Sequence, residues 1–416
     1  MEKIYEISSF DISAAGGGKG LLGDIDGDGR MEAVFVQADS GIDDRYIPHQ
    51  ITCVTAYRLD GSIMWQTGRR MEVPGGFGSD FPAQICDFDG DGYLEIVCVM
   101  ERKFCVLDGR TGKCKKQYEL PSGEAHDCII LADLTGRGAR RDVILKDRYR
   151  NMWALDNDFN LLWTHEGNLG HFPWVSDVNG DGYDEVMAGY DLLDHNGKLL
   201  WSCKDLEDHA DCLWAGDVNG DGNPEIVVGG SVTCLYDTEG KELWRYDGSV
   251  ESQHVALGKF CPELPGLQVA GLDRIQRGDG YKGQWDGKDG MFLLDCEGRE
   301  LWKEDRKTKG WLTIVDALYN WNGEGRDYIL AYRRGGGVKP GLYDGKGTMV
   351  VSFPEDGYVL HGDLFDRNKE EVLIYTPERA YVYSGTEYDL SKQPSGRAIP
   401  QSRRLYASTL YPGGEV

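Results

Sequence analysis

The chain has 416 residues, enough for one large core or two or three domains, and a formal charge of −25 at neutral pH. That acidity argues against nucleic acid or a membrane surface as a partner. The stretch Met1 to Ser13 lacks an apolar core of signal-peptide length, and no apolar run is long enough to span a bilayer, so a cytoplasmic location is expected.

The eleven cysteines are odd in number, show no CxxC spacing, and in several cases (Cys86, Cys98, Cys128, Cys212) sit inside apolar runs. Buried free thiols in a reducing compartment are the expectation. The 57 glycines call for many tight turns.

Along the chain one loop recurs. Asp24-Ile-Asp-Gly-Asp-Gly-Arg-Met-Glu32 returns as Asp87 to Glu95, Asp177 to Glu185 and Asp217 to Glu225. Oxygen-bearing side chains fall at positions 1, 3, 5 and 9, with glycine at 4 and 6. Alternate carboxylates on so tight a loop converge on one hard cation. The expected ligands are Asp24, Asp26, Asp28 and Glu32; Asp87, Asp89, Asp91 and Glu95; Asp177, Asn179, Asp181 and Glu185; and Asp217, Asn219, Asp221 and Glu225. Several structural calcium ions are implied.

Each loop sits between short apolar strands, and the surrounding pattern repeats eight times. Units start near residues 18, 79, 124, 170, 208, 252, 310 and 357. The units read as four short strands, the third typically ending in Asp before a glycine turn. The fourth commonly carries a tryptophan: Trp65, Trp163, Trp201, Trp244 and Trp302. This is the arithmetic of an all-β fold: a single eight-bladed β-propeller of four-stranded antiparallel blades spanning residues 1–416.

The cation loop is eroded in the other four units, with Arg137 at a ligand position in unit three and Cys261 to Gly266 replacing it in unit six. Unit eight lacks a convincing fourth strand. Either Lys3 to Ile12 or Leu405 to Leu410 is expected to complete it, since an unpaired edge is a liability.

In such blades the cation loops lie on one face and the irregular second-to-third-strand loops on the other. The irregular face carries two long insertions, Gln37 to Gln50 and Asp273 to Gly290. It gathers Arg45, His49, Arg148, Tyr149, Tyr190, Arg274, Arg277, Tyr281, Trp285 and Arg334. Basic and aromatic residues concentrated on so acidic a chain suit an anionic ligand with flat apolar faces, such as a uronic-acid oligosaccharide. Ordinary solvated loop charge is the alternative.

On the same face, His126, His171, His209 and His254 precede the first strand of four consecutive units. Four equivalent imidazoles permit two chemistries. With Asp127 and Asp208, His126 and His209 have the ligand types for one divalent metal in the central depression. Alternatively, a neutral His or a Tyr acts as general base beside an Arg that binds a carboxylate.

The Asp-Gly-Asp-Gly loops on four-stranded units resemble the FG-GAP-type propellers. His254-Val-Ala-Leu-Gly-Lys-Phe-Cys-Pro-Glu-Leu-Pro-Gly-Leu-Gln-Val and Arg404-Leu-Tyr-Ala-Ser-Thr-Leu-Tyr-Pro are similar to segments of the rhamnogalacturonan lyases with an eight-bladed, calcium-rich propeller. The resemblance implies cleavage of a rhamnose–galacturonate bond by β-elimination. Arg148 and Arg274 would then neutralise the uronate carboxylate, and His126, His171, His209, His254 or Tyr149 would serve as base and acid. The shorter chain points toward oligosaccharide substrates. A rhamnosidase-like hydrolase on a similar bond and a non-catalytic carbohydrate- or protein-binding propeller stay open beside it.

Overall fold

The computed structural model describes residues 2–40, 48–77, 80–276, 288–305, 313–333, 338–399, 407–409 and 413–416. Apart from one turn of 3-10 helix at Ser13–Ala15, the regular structure is β. It falls into six separate sheets and one eight-stranded sheet. The latter divides into two four-stranded sets joined by a single parallel pair, Ile51 with Met100.

Except in unit eight, each four-stranded set follows the order of the chain. Unit four is typical, with strands Trp174–Ser176, Glu185–Ala188, Asp191–Leu193 and Leu199–Ser202 paired antiparallel in succession. First and second strands are mainly apolar and largely buried on both faces, as in Cys212–Gly216 and Glu225–Gly229. Fourth strands alternate, leaving Leu161, Leu199 and Leu301 exposed. First strands of successive units pack side by side, and that of the last unit, Tyr358–Gly362, packs against Lys19–Gly23 of the first.

The tryptophans join neighbours. Trp65 Nε1 donates to the Gly109 carbonyl of the next unit at 2.7 Å, and Trp163, Trp201, Trp244 and Trp302 donate likewise to His195, Thr238, Cys296 and Gly345. Unit two has no tryptophan at this place, and Tyr118 instead stacks on Phe159 of unit three, centroids 4.6 Å apart. Unit eight uses Phe10, which lies so close to Gly61 of unit one that a Cβ there would fall 2.5 Å from its own Cβ.

Phe10 belongs to Tyr5–Asp11, which pairs with Arg379–Ser384 as the fourth strand of unit eight. Of the two segments expected to complete that unit, the N-terminal one does so. The other runs elsewhere: Ala407 bridges to Leu21, and Ser408 donates its N–H to Gly20. Further on, Gly414–Glu415 lies parallel to the first strand of unit five. The tail is small and polar here, so it fits between inner strands rather than pairing at an outer edge. The insertion after Asp273 also differs from a plain loop. Its ends extend the strands, with Asp273 opposite Gly290 and Gln276 opposite Lys288. All eleven cysteines are free and nine are buried.

Candidate functional site

At the loop end, the four full motifs share one internal bond. The position-9 carboxylate accepts the N–H of the second loop residue: Glu32 from Ile25, Glu95 from Phe88, Glu185 from Val178 and Glu225 from Val218, at 2.8–3.1 Å. Three of the four eroded loops keep this bond, through Asp142, Gln268 and Glu371. Sequence reasoning treated position 9 as a ligand and missed this backbone role.

Beyond that bond the loops diverge. In unit one, ligand oxygens of Asp24, Asp26 and Glu32 lie within 4.8 Å of one another. Burial, then the charges of Asp26, Asp24 and Asp28, push the Glu32 carboxyl up to about 9. Crowded carboxylates of this kind suit a divalent cation. The loop is covered by a later segment: Ile399 donates to Asp24 and Gly396 to the Asp28 carbonyl. In unit two, Asp87, Asp89 and Glu95 converge in the same way, but the Lys115 ammonium sits among them, bonded to Asp89 and to Glu95 at 2.8 Å. In units four and five, Asn179 and Asn219 turn their amide N–H groups to Glu185 and Glu225 at 2.8 and 2.7 Å. Burial and the Asp181 and Asp177 charges raise Glu185 to about 7.

At the opposite end, units three to five bring together Tyr149, His171, His209 and Asp211. The rings of His171 and His209 are 4.8 Å apart, and Tyr149 is 5.6 and 5.7 Å from them. Asp211 Oδ1 lies 3.6 Å from Nε2 of both histidines. One ligand atom from each of His171, His209 and Asp211 falls within 4.8 Å of the others, so these three residues have the donor set and spacing for a divalent metal. His209 is further oriented by Asp208, whose carboxylate meets Nδ1 at 2.6 Å.

The local sequence makes this convergence possible. Gly170 has a φ of +65°, and a Cβ there would fall 2.3 Å from the Ala210 carbonyl. Its conformation lets the His171 N–H reach that carbonyl at 3.1 Å. Leu169 donates to the Tyr149 carbonyl at 3.1 Å, joining the turn of unit three to the start of unit four. Within that turn, Asp147 Oδ1 accepts the N–H groups of Tyr149, Arg150 and Asn151.

Beneath the turn is Lys146, fully buried. Its ammonium donates to Asp127 Oδ2 at 2.5 Å and to the carbonyls of Asp147 at 3.0 Å and Arg148 at 2.7 Å. All three donors are used. Burial opposes its charge, but the Asp127 carboxylate outweighs this and raises its pKa. Asp127 also faces Arg148 Nε at 3.1 Å. Nearby, burial and the Asp127 charge push Asp80 up to about 6, and Thr409 of the tail donates to it. Tyr149 is raised by burial, so its phenol stays protonated; burial lowers His126, so its imidazole is neutral.

The remaining sequence-derived residues are not part of this ligand set. His126 and His254 occupy the equivalent strand starts, buried, and are outside the three-residue ligand set. Arg274 is bound to Glu251 in a buried pair, Nε to Oε2 at 2.8 Å. His49 Nδ1 meets Asp39 at 2.5 Å, and Tyr190 donates to the Glu207 carbonyl at 3.0 Å. Arg45, Arg277, Tyr281, Trp285 and Arg334 lie outside the described residues. Lys146, Asp80 and Asp211 were not singled out from the sequence. A charged residue ending an otherwise apolar strand, as in Asp142-Val-Ile-Leu-Lys146, is the one signal that marked Lys146.

No family model matches the chain. It is 22% identical over 455 residues to the rhamnogalacturonan exolyase YesX of Bacillus subtilis (strain 168), covering 90% of this chain and 70% of that protein. The rhamnogalacturonan endolyase YesW of the same organism is 24% identical over 241 residues, 44% of this chain and 38% of its own length. In three dimensions, the crystal structure of YesX superposes with a TM-score of 0.69 at 19% identity, covering 96% of this chain and 77% of that one. The Dos1 propeller superposes at 0.54 and 12% identity, covering 96% and 98%. The fold is thus propeller-like and shared with rhamnogalacturonan lyases.

Proposed function

We propose that this chain is a rhamnogalacturonan lyase on a closed eight-bladed β-propeller, acting on an anionic oligosaccharide. The observation that carries the reading is the convergence of Tyr149, His171, His209 and Asp211 on a chain that aligns with an exolyase over nine-tenths of its length. Ring closure is supported by the first strands, which pack in series back to unit one, and by Phe10, which takes the place of the tryptophans.

β-Elimination removes the proton on C5 of the galacturonate, breaks the C4–O4 bond, forms a C4–C5 double bond and returns a proton to the departing O4. Three things are needed: a partner for the carboxylate, a base and an acid. A divalent cation held by His171, His209 and Asp211 would neutralise the carboxylate and acidify H5. Tyr149, kept protonated by burial, suits the acid that meets O4. His126, kept neutral, suits a base. Lys146 and Asp127 hold the turn that presents Tyr149. Arg148, on that turn, adds positive charge at the same end.

Structural calcium is proposed for the Asp loops of units one, four and five. In unit two a cation would have to displace Lys115. The free thiols support a reducing, cytoplasmic setting.

Incubation with rhamnogalacturonan oligosaccharides tests the reading. Near-UV absorbance from an unsaturated uronide, with products summing to the substrate mass, is the expected outcome. Products heavier in sum by one water mean hydrolysis, and binding without cleavage means a non-catalytic propeller.

A further inference from the structure

The positive charges nearest the cluster are already matched: Lys146 and Arg148 face Asp127, and Arg274 faces Glu251. Arg150 is different. Its side chain is exposed, and among the described residues its guanidinium has no ion-pair partner. Its backbone is nevertheless fixed, the N–H bonded to Asp147 Oδ1 at 2.7 Å and the carbonyl accepting from Gly167 at 3.0 Å. A cation on a fixed backbone mount that forms no ion pair within the described chain is available to an external anion.

Arg150 lines an open cavity of about 530 Å³ together with Tyr149, Glu166, Gly167 and Asn168. That volume falls within the roughly 300–1,000 Å³ of ligand sites. Tyr149 belongs both to this cavity and to the ring cluster with His171 and His209, so a chain bound at the cluster leads into the cavity. Tyr149 is 38% exposed, leaving it accessible to a sugar face. Asn168 Nδ2 is committed to the Asp208 carbonyl at 2.6 Å, which fixes the side chain and leaves its oxygen as an acceptor for hydroxyls. Glu166, also exposed, accepts hydroxyls and repels a carboxylate.

The geometry points to a subsite for a second uronate of the substrate chain, its carboxylate paired with Arg150 and its ring on Tyr149. This rests on the lyase reading and adds a selectivity to it. With Glu166 opposite Arg150, one acidic sugar is accepted and an adjacent one is disfavoured, so the cavity favours an alternating acid–neutral chain over a uniformly acidic one.

Calorimetry in a His209→Ala background, where turnover is suppressed, reads the subsite directly. Adding Arg150→Gln should weaken binding of a rhamnogalacturonan tetrasaccharide about tenfold. The carboxyl-reduced tetrasaccharide should bind both proteins alike. In the otherwise unaltered enzyme, Arg150→Gln should raise KM about tenfold with kcat within about twofold, and Arg150→Lys should recover part of the loss. Equal tetrasaccharide affinity with and without Arg150, no binding by either protein, or a loss confined to kcat would overturn the subsite. Absence of an unsaturated product from the wild-type chain would instead sink the lyase reading, and calorimetry would still decide the subsite.

Discussion

The two ends of the sheets use carboxylates in opposite ways. At the Asp-loop end of unit one, Asp24, Asp26 and Glu32 crowd together with Glu32 pushed up to about 9, an arrangement that calls for a cation from outside. At the histidine end of unit three, Asp127 is enclosed by two cations of its own chain, Lys146 and Arg148. The first arrangement would gain stability from a bound ion. The second is complete within the chain, and Tyr149, His171 and His209 lie beside it with no carboxylate crowding like that of unit one. Repetition belongs to the first end and asymmetry to the second.

The largest test of that division is His209→Ala. Activity on rhamnogalacturonan oligosaccharides should fall by about 10²–10⁴, while the thermal midpoint measured in parallel stays put. A collapse of the midpoint would show that the histidine end also holds the fold together. Next is Lys146→Met, which breaks the closest buried ion pair and leaves Asp127 with Arg148 alone. It should cost about 3–5 kcal/mol of stability in denaturant titrations, as for other broken buried pairs. A loss below 1 kcal/mol, on the order of an exposed ion pair, would mean that Asp127 is not enclosed as described.

The third test concerns pH. The folded-state pKa of Glu32 lies above its unfolded value, so its contribution is fully present below about 4.5 and is lost as pH rises through about 9. Chelator-treated protein should therefore gain stability on acidification across that window, by at most roughly 1.4 kcal/mol per pH unit from this group. Calcium-loaded protein should lack the effect. The same slope with and without calcium would remove the cation from unit one. The smallest effect is expected from Lys115→Met, about 1 kcal/mol. It should make the unit-two loop calcium-dependent, adding one ion to the count by metal analysis. An unchanged count would show that Lys115 is not what occupies that loop.

Much of the strand order was legible because each signal is local. The Asp loops mark first-to-second-strand turns, the tryptophans mark fourth strands, and the histidines precede first strands, all at fixed spacing. What was not legible depends on neighbours from elsewhere in the chain. Asp211 matters because His171, forty residues earlier in the preceding unit, meets it at 3.6 Å. Arg148 and Arg274 have the composition of substrate-binding residues, yet each already faces a carboxylate. Lys115 lies on a fourth strand, and nothing in the Asp87 to Glu95 motif announces an internal ammonium. The tail between inner strands had no periodic signature at all, since its contacts are made one residue at a time.

The pairing of Tyr5–Asp11 with Arg379–Ser384 has a consequence for biosynthesis. The strand that finishes unit eight is translated well before the other three strands of that unit, and its partner leaves the ribosome last among them. At about 5–20 residues per second the wait is on the order of 20–70 s. Throughout it, the nascent chain carries an edge at each end, open to pairing with another copy. Crowded polysomes, where several such chains emerge together, are the setting in which a domain-swapped dimer would arise, with one molecule's first strand completing another's last unit.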